Sequence, residues 1–260
     1  MNIEKHIGME QQLAGYEGED KVVSSQELYR RLLEKKKRTV SLKSSMPTLD
    51  ELLGGFNGGE LTVVSGITGN GKTLFCQTLT AEFAEQEKHS IWFTYEVPAL
   101  QFLKQFGEDI PHFYMPAQLR SSSIEWIRQR IHEAKLKYGI DAVFIDHLHF
   151  LADVMLKKHP SLEIGQVMRT LKRWALEFNI AIFLVAHTMK IKPDKELDLG
   201  DTRDSSFIEQ EADNVLYIWR QLKVDQGAIL KIAKNRGNGV MGKKIHLLKV
   251  GNILVEAAHD

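Results

Sequence analysis

Residues 66 to 73 read Gly-Ile-Thr-Gly-Asn-Gly-Lys-Thr. Directly before them stands the apolar run Leu61-Thr-Val-Val-Ser65, and a helix-compatible stretch opens at Lys72. A strand that feeds a glycine-rich loop ending in Lys-Thr, followed by a helix, satisfies the P-loop pattern. The glycines let successive backbone N–H groups turn inward around a phosphate, and the helix N-terminus adds positive potential. In such a loop Lys72 contacts the β- and γ-phosphates and the Thr73 hydroxyl binds Mg2+. Gly66, Thr68, Gly69, Asn70, Gly71, Lys72, Thr73 and Leu74 are therefore the expected phosphate-binding set. The expected ligands are ATP, or another nucleoside triphosphate, and Mg2+. A chance glycine-rich turn is the alternative, and the strand before it and the helix after it weigh against that reading.

Downstream, short apolar runs alternate with helical periodicity. IWFTY (91 to 95), AVFID (142 to 146) and IAIFLVA (180 to 186) read as buried strands. A helix from Ser123 to about Tyr138 and another carrying Val167, Leu171 and Trp174 intervene. Ile124, Ile127, Ile131 and Ala134 recur on one helical face, and Ser122 with Glu125 has capping-box spacing. Such alternation specifies an α/β fold: a mainly parallel twisted sheet flanked by helices. The last third differs. NVLYIW (214 to 219), AILKIA (228 to 233), KKIHLL (243 to 248) and NILVEA (252 to 257) are separated by turn residues and read as antiparallel strands extending the sheet.

The chain of 260 residues suits one main α/β core. Residues 1–22 are acidic with little apolar periodicity and are expected to form a mobile tail. Residues 23–44 are expected to hold a short, exposed linker helix, with Ser24 and Glu27 at capping-box spacing and Leu28, Leu32 and Leu33 as a narrow apolar stripe. A lone helix of that length is marginal in water, so its stripe needs a surface to cover. Residues 45–260 form the expected catalytic domain.

Lysine plus arginine equals aspartate plus glutamate at 34 each, so net charge neither favours nor excludes a nucleic-acid partner. Between Gln226 and Val255 there is no acidic residue, while Lys231, Lys234, Arg236, Lys243, Lys244 and Lys249 fall there. That stretch reads either as a positive surface facing phosphates or as strands with lysine-coated edges. The single cysteine, Cys76, fits a reducing compartment, cytoplasmic or an organellar matrix. No apolar run reaches the roughly 18 residues that span a bilayer, so no membrane partner is expected.

Three further polar residues close strands. Asp146 ends AVFID, from where a carboxylate beside a P-loop reaches Mg2+, usually through water. Glu96 follows IWFTY and could orient an attacking water, or be a solvated strand end. His187 follows IAIFLVA at the carboxyl edge, where open α/β sheets bind ligands; it could sense a γ-phosphate or be structural. His147 and His149 flank Asp146 without a matching ligand set and read as packing residues.

Taken together, GGFNGGELTVVSG, the P-loop, FTYE, VFIDHLHF, VAHTMK, SFIEQEADNVLYIWR and KNRGNGVMG resemble the RecA-like motor domain of hexameric replicative DNA helicases. The family is the DnaB group, and the resemblance is to its mitochondrial Twinkle and phage primase-helicase branch. It runs from about Ser45 to Leu254. It implies that Glu96 is the catalytic carboxylate and His187 the phosphate sensor, a position where DnaB itself has glutamine. It implies that Lys234 and Arg236 reach into a neighbouring subunit's ATP site, that Arg220 stacks on the adenine, and that the active form is an oligomer, a hexameric ring. Single-stranded DNA would pass along the loops after Asp146 and His187, where Lys190, Lys192 and Arg203, with Lys157, Lys158 and Lys195, suit backbone contacts. Primase or other replisome proteins are the implied partners.

Two features depart from the family. Between Glu96 and Ser123 the chain has only a short segment where the family carries a longer helical insertion. For ring assembly only the helix near residues 24 to 38 is available as a linker. The expected function is an ATP-dependent helicase or translocase motor. The alternatives are a RecA- or RadA-like recombination ATPase and a nucleotide-gated assembly protein whose turnover ignores DNA.

Overall fold

A computed structural model describes residues 12–35, 40–151, 160–188, 197–198, 200, 205–220 and 227–257. The chain divides into two compact units, 1–39 and 40–260. In the first, helix α1 (Ser25–Lys35) begins where the Ser24 hydroxyl accepts the Glu27 N–H at 3.1 Å. Leu28, Tyr29, Leu32 and Leu33 are all exposed.

In the second unit a two-residue ladder pairs β1 (Ser41–Leu42) with β2 (Phe56–Asn57), and helix α2 (Pro47–Leu53) lies between them. Helix α2 has proline in its first turn and Gly54 in the left-handed conformation at its end, the usual start and stop of a short helix. Then follow β3 (Leu61–Gly66), α3 (Lys72–Glu85), β4 (Ser90–Thr94), α4 (Ala99–Lys104), α5 (Ile124–Tyr138), β5 (Ala142–Asp146), α6 (Pro160–Phe178), β6 (Ala181–His187) and α7 (Ser205–Glu211). The chain continues through β7 (Asn214–Arg220), β8 (Gly227–Asn235), β9 (Lys243–Val250) and β10 (Ile253–Glu256).

Eight strands form one sheet in the order β10-β9-β8-β7-β3-β6-β5-β4. From β7 to β4 all neighbours are parallel; β7 to β10 is an antiparallel meander. The parallel strands read as unbroken apolar runs because both faces are covered. Along β5, Val143 and Ile145 join the core under α5 and α6, with Ile127, Leu171 and Trp174. Ala142 and Phe144 point the other way, into a core with Phe75, Phe83, Trp92 and Phe183. In that core Trp92, Phe144 and Phe183 stack in succession, with ring centroids 4.8 and 4.6 Å apart.

Most expected strand boundaries shift by one or two residues, and one helix cap moves. The strand anticipated at 91–95 spans Ser90–Thr94, because the segment at Tyr114 pairs with it through Trp92 N–H to Tyr114 O and Tyr114 N–H to Ser90 O. The cap of α5 is Ser123 rather than Ser122: Ser123 has extended backbone, and its hydroxyl accepts the Trp126 N–H at 3.4 Å. Among the described residues no helix is long and apolar enough to cross a membrane.

Candidate nucleotide-binding site

Parallel strands all end their C-terminal residues at one edge, and here that edge gathers the polar groups. Strand register places Gly66 opposite His187, Val185 opposite Asp146, and Asp146 opposite Thr94. The loop after β3, Asp146 at the end of β5, His187 at the end of β6 and Glu96 just beyond β4 therefore converge. They line a cavity of about 570 Å³ with Thr68, Gly69, Gly71, Lys72, Thr73 and Leu74.

The loop owes its shape to its glycines. A Cβ on Gly66 would lie 2.2 Å from the Ile218 carbonyl oxygen of β7. Gly69, by contrast, has open space around it and needs only its positive φ of 77°. Gly66→Ala should therefore force β3 and β7 apart and lower stability by about 1–3 kcal/mol, read by urea unfolding of the nucleotide-free chain. Unchanged stability would contradict the close approach. Asn70 fixes the loop from the other side, its Oδ1 accepting the Arg220 N–H at 2.9 Å, and the Arg220 side chain lines the same cavity.

The buried Lys72 ammonium donates to the carbonyls of Gly66 at 2.9 Å and Ile67 at 3.1 Å. Burial pulls its pKa below the ordinary lysine value, and the carboxylates of Asp146 and Glu96 oppose that pull. The Thr73 hydroxyl donates to Asp146 Oδ2 at 2.7 Å, while Asp146 Oδ1 is buried with no hydrogen-bond partner. A buried carboxylate oxygen left over beside a P-loop threonine fits a divalent cation, whose bonds would satisfy it.

Burial pushes the Asp146 carboxyl up from 3.8 to about 6; the Thr73 hydrogen bond works against it. A carboxyl whose folded pKa is raised costs stability wherever it is ionised in both states. The cost is full above about pH 6 and vanishes as pH falls below the unfolded value. The gap of about two pH units, at about 1.4 kcal/mol each, is on the order of 3 kcal/mol. Asp146→Asn should thus raise the melting temperature of the cation-free chain by several degrees at pH 7.5, and by little at pH 4. An equal shift at both pH values would exclude this origin.

Around the carboxylate stands a second polar group. His187 Nδ1 is 3.4 Å from the Thr68 hydroxyl, and its ring lies edge-on to that of His147 with centroids 4.3 Å apart. His147 Nδ1 is 3.7 Å from Glu96 Oε2, and the Glu96 side chain is 39% exposed. His147, read from the sequence as a packing residue, thus borders the site.

Lys234 and Arg236 are not in this cavity. Lys234 donates to Ala212 O at 2.8 Å; Arg236 donates to Asp213 Oδ1 at 3.1 Å and to Gln210 O at 2.6 Å. Asp213 also accepts the Leu61 N–H and the Lys172 ammonium, at 2.8 and 2.7 Å. Because Asn235 pairs with Asn214 while Arg220 pairs with Ala228, the two cations sit at the opposite end of β7 from the cavity. The seven residues of β7 put roughly 20 Å between its cavity end and the end that carries these cations. Lys190, Lys192 and Arg203, like Lys157, Lys158 and Lys195, lie outside the described residues.

The cavity also includes residues that no motif pointed to: Gln77, Lys104, Gln105, Lys249 and Asn252. Of these only Lys249 carried a signal, its place in the acid-free stretch.

Residues 41–107 and 112–250 match the family model described as the DnaB-like helicase C terminal domain. Replicative DNA helicase DnaB of Rickettsia felis is 32% identical over 129 residues, which is 48% of this chain and 24% of that protein. Replicative DNA helicase DnaB of Helicobacter pylori is 24% identical over 260 residues, covering 83% of this chain and 53% of that one. The chain therefore spans about a quarter to a half of the length of these curated relatives. Among solved structures, one described as an ATPase domain superposes with a TM-score of 0.78 at 17% identity, covering 91% of this chain and all of that one. A DnaB-like replicative helicase, described with its interactions with primase, gives 0.74 at 17% identity over 97% of this chain and 71% of that chain. These likenesses establish the RecA-like fold.

Proposed function

Because the chain belongs to the DnaB-like helicase C-terminal domain family, we propose that it is an ATP-hydrolysing motor that works on single-stranded DNA in replication as a hexameric ring. The observation that carries this reading is the division of polar groups between two ends of one sheet. Phosphate-binding and carboxylate groups line the cavity, while Lys234 and Arg236 stand at the far end of β7. A site built this way is completed by a neighbouring subunit.

In this reading the triphosphate lies along the P-loop, its oxygens taken by the loop N–H groups and the Lys72 ammonium. Thr73 and Asp146 would hold Mg2+, which would supply positive charge to offset that of the triphosphate. Glu96, half open to solvent beside Asp146, orients the attacking water. His187 reports the loss of the γ-phosphate through its contact with Thr68. Arg220 packs against the base. Lys234 and Arg236 of the next chain stabilise charge on the transferred phosphoryl group. Lys190, Lys192 and Arg203 contact the DNA backbone, and primase or other replisome proteins are partners. The place of action is the cytoplasm or an organellar matrix.

The test is steady-state phosphate release with and without single-stranded DNA, at low and moderate salt, with oligomer size measured on the same sample. Strong DNA stimulation in a ring-sized assembly, weakening with salt, is expected. Turnover indifferent to DNA would replace the motor with a nucleotide-gated assembly protein, and filaments in place of closed rings would favour a recombination ATPase.

A further inference from the structure

His147 has no part in the turnover proposed above, yet it stands between two residues that do. Strands β4, β5 and β6 are adjacent and parallel, so Glu96, His147 and His187, each at or just past a strand end, project into one space. One ligand atom from each, two imidazole nitrogens and a carboxylate oxygen, lie within 4.8 Å of one another. In a tetrahedral zinc site with bonds of about 2.0–2.1 Å, ligand atoms stand about 3.3 Å apart. His147 Nδ1 and Glu96 Oε2 are already at 3.7 Å, so small side-chain rotations close the set around an ion. Glu96 has the freedom to make them, being 39% exposed, whereas His147 at 12% is sheltered from competing water. The Thr68 hydroxyl beside His187 Nδ1 is placed to orient that ring, as outer-shell partners of metal-bound histidines do.

The donor types separate this set from the Mg2+ position. Mg2+ demands oxygen ligands and keeps its waters, which suits Thr73 and Asp146. Two imidazoles and one carboxylate suit the borderline transition cations, zinc and cobalt among them.

We propose that Glu96, His147 and His187 form a binding site for a borderline divalent transition cation of the zinc class, and that its occupation switches turnover off. A cation held there takes the Glu96 carboxylate and the His187 ring out of use, so neither the attacking water nor the γ-phosphate meets them. The site itself stands on geometry alone; only its inhibitory effect rests on the roles assigned above to Glu96 and His187.

The experiment is a titration of the full, nucleotide-free chain with Co2+, followed by its visible ligand-field absorption, with Zn2+ as competitor. One Co2+ per chain is expected, displaced by Zn2+ and not by excess Mg2+. His147→Asn and His187→Gln, each checked for folding by thermal melting, should weaken binding by about tenfold or more. His89→Asn is the control: His89 lies beside His112, with ring centroids 5.5 Å apart, at the other end of β4. No saturable binding, binding indifferent to both site variants, or binding lost in His89→Asn would overturn the site. A stoichiometric amount of Zn2+ in excess Mg2+ should then stop phosphate release from ATP. Cation binding that leaves turnover untouched would uphold the site and overturn the roles given to Glu96 and His187.

Discussion

Lys72→Ala should reduce nucleotide turnover on the order of 10³-fold or more, measured as phosphate release at saturating ATP and Mg2+. The side chain is almost fully buried at the start of α3, and its ammonium rests on the carbonyls of Gly66 and Ile67. Burial makes the charged form costly, and the carboxylates of Asp146 and Glu96 help to keep it charged. A triphosphate offers that ammonium far stronger partners than two neutral carbonyls, so the charge is placed in advance for a ligand that brings its own countercharge. Alanine removes the loop's cation and leaves phosphate oxygens facing N–H dipoles alone. Lys72→Arg should not rescue, because a forked guanidinium does not fit where a point charge is enclosed. Turnover at the unmodified level in either variant would remove Lys72 from the mechanism.

Arg236→Ala should leave nucleotide binding near normal and lower hydrolysis on the order of 10³-fold. The side chain is about half exposed and held against Asp213 and Gln210, at the end of β8 remote from its own cavity. Its loss also takes one partner from the buried Asp213 carboxylate, so a fall in activity alone would not separate structure from catalysis. Mixing does separate them. Chains carrying Lys72→Ala keep Arg236, and chains carrying Arg236→Ala keep an intact loop; co-assembled, some interfaces recover both. Activity that reappears on mixing two inactive samples is the expected result. Mixtures as silent as their components, in assemblies of normal size, would show that Arg236 does not act across an interface.

Much of the fold was legible because burial on both faces turns strands into plain apolar runs. AVFID is both a sequence pattern and strand β5, residue for residue. The P-loop was legible for a different reason, since Gly66, Gly71, Lys72 and Thr73 are each dictated by local backbone shape or charge. Adjacent serines defeated the cap assignment, as Ser122 and Ser123 both have a partner at suitable spacing and only the backbone angles choose. The short helix α2 carried its proline and glycine signals, but seven residues leave no room for periodicity. His147 was beyond reach, because its nearness to Glu96 and His187 depends on the register of three strands far apart in sequence. Asn252 was hidden for the same reason, and Lys249 was visible only as one cation of the acid-free stretch. Both belong to the β9–β10 hairpin, whose strand β10 reaches α3 through the Leu254 N–H donating to the Thr78 hydroxyl.

The placing of Arg220 and Arg236 at opposite ends of β7 also bears on the symmetry an assembly can have. If one end of the strand lines a cleft and the other serves a neighbour's cleft, the two surfaces in contact are different surfaces. Where each chain gives its arginine to one neighbour and receives one from another, the contact is heterologous, and a head-to-tail pair alone leaves one cleft empty and one arginine idle. Growth stops only when the rotation between successive chains returns to its start; otherwise it continues as an open helix. Closed ring and endless filament are thus two solutions of one geometry, separated by the rotation and pitch between successive chains rather than by a different set of active-site residues.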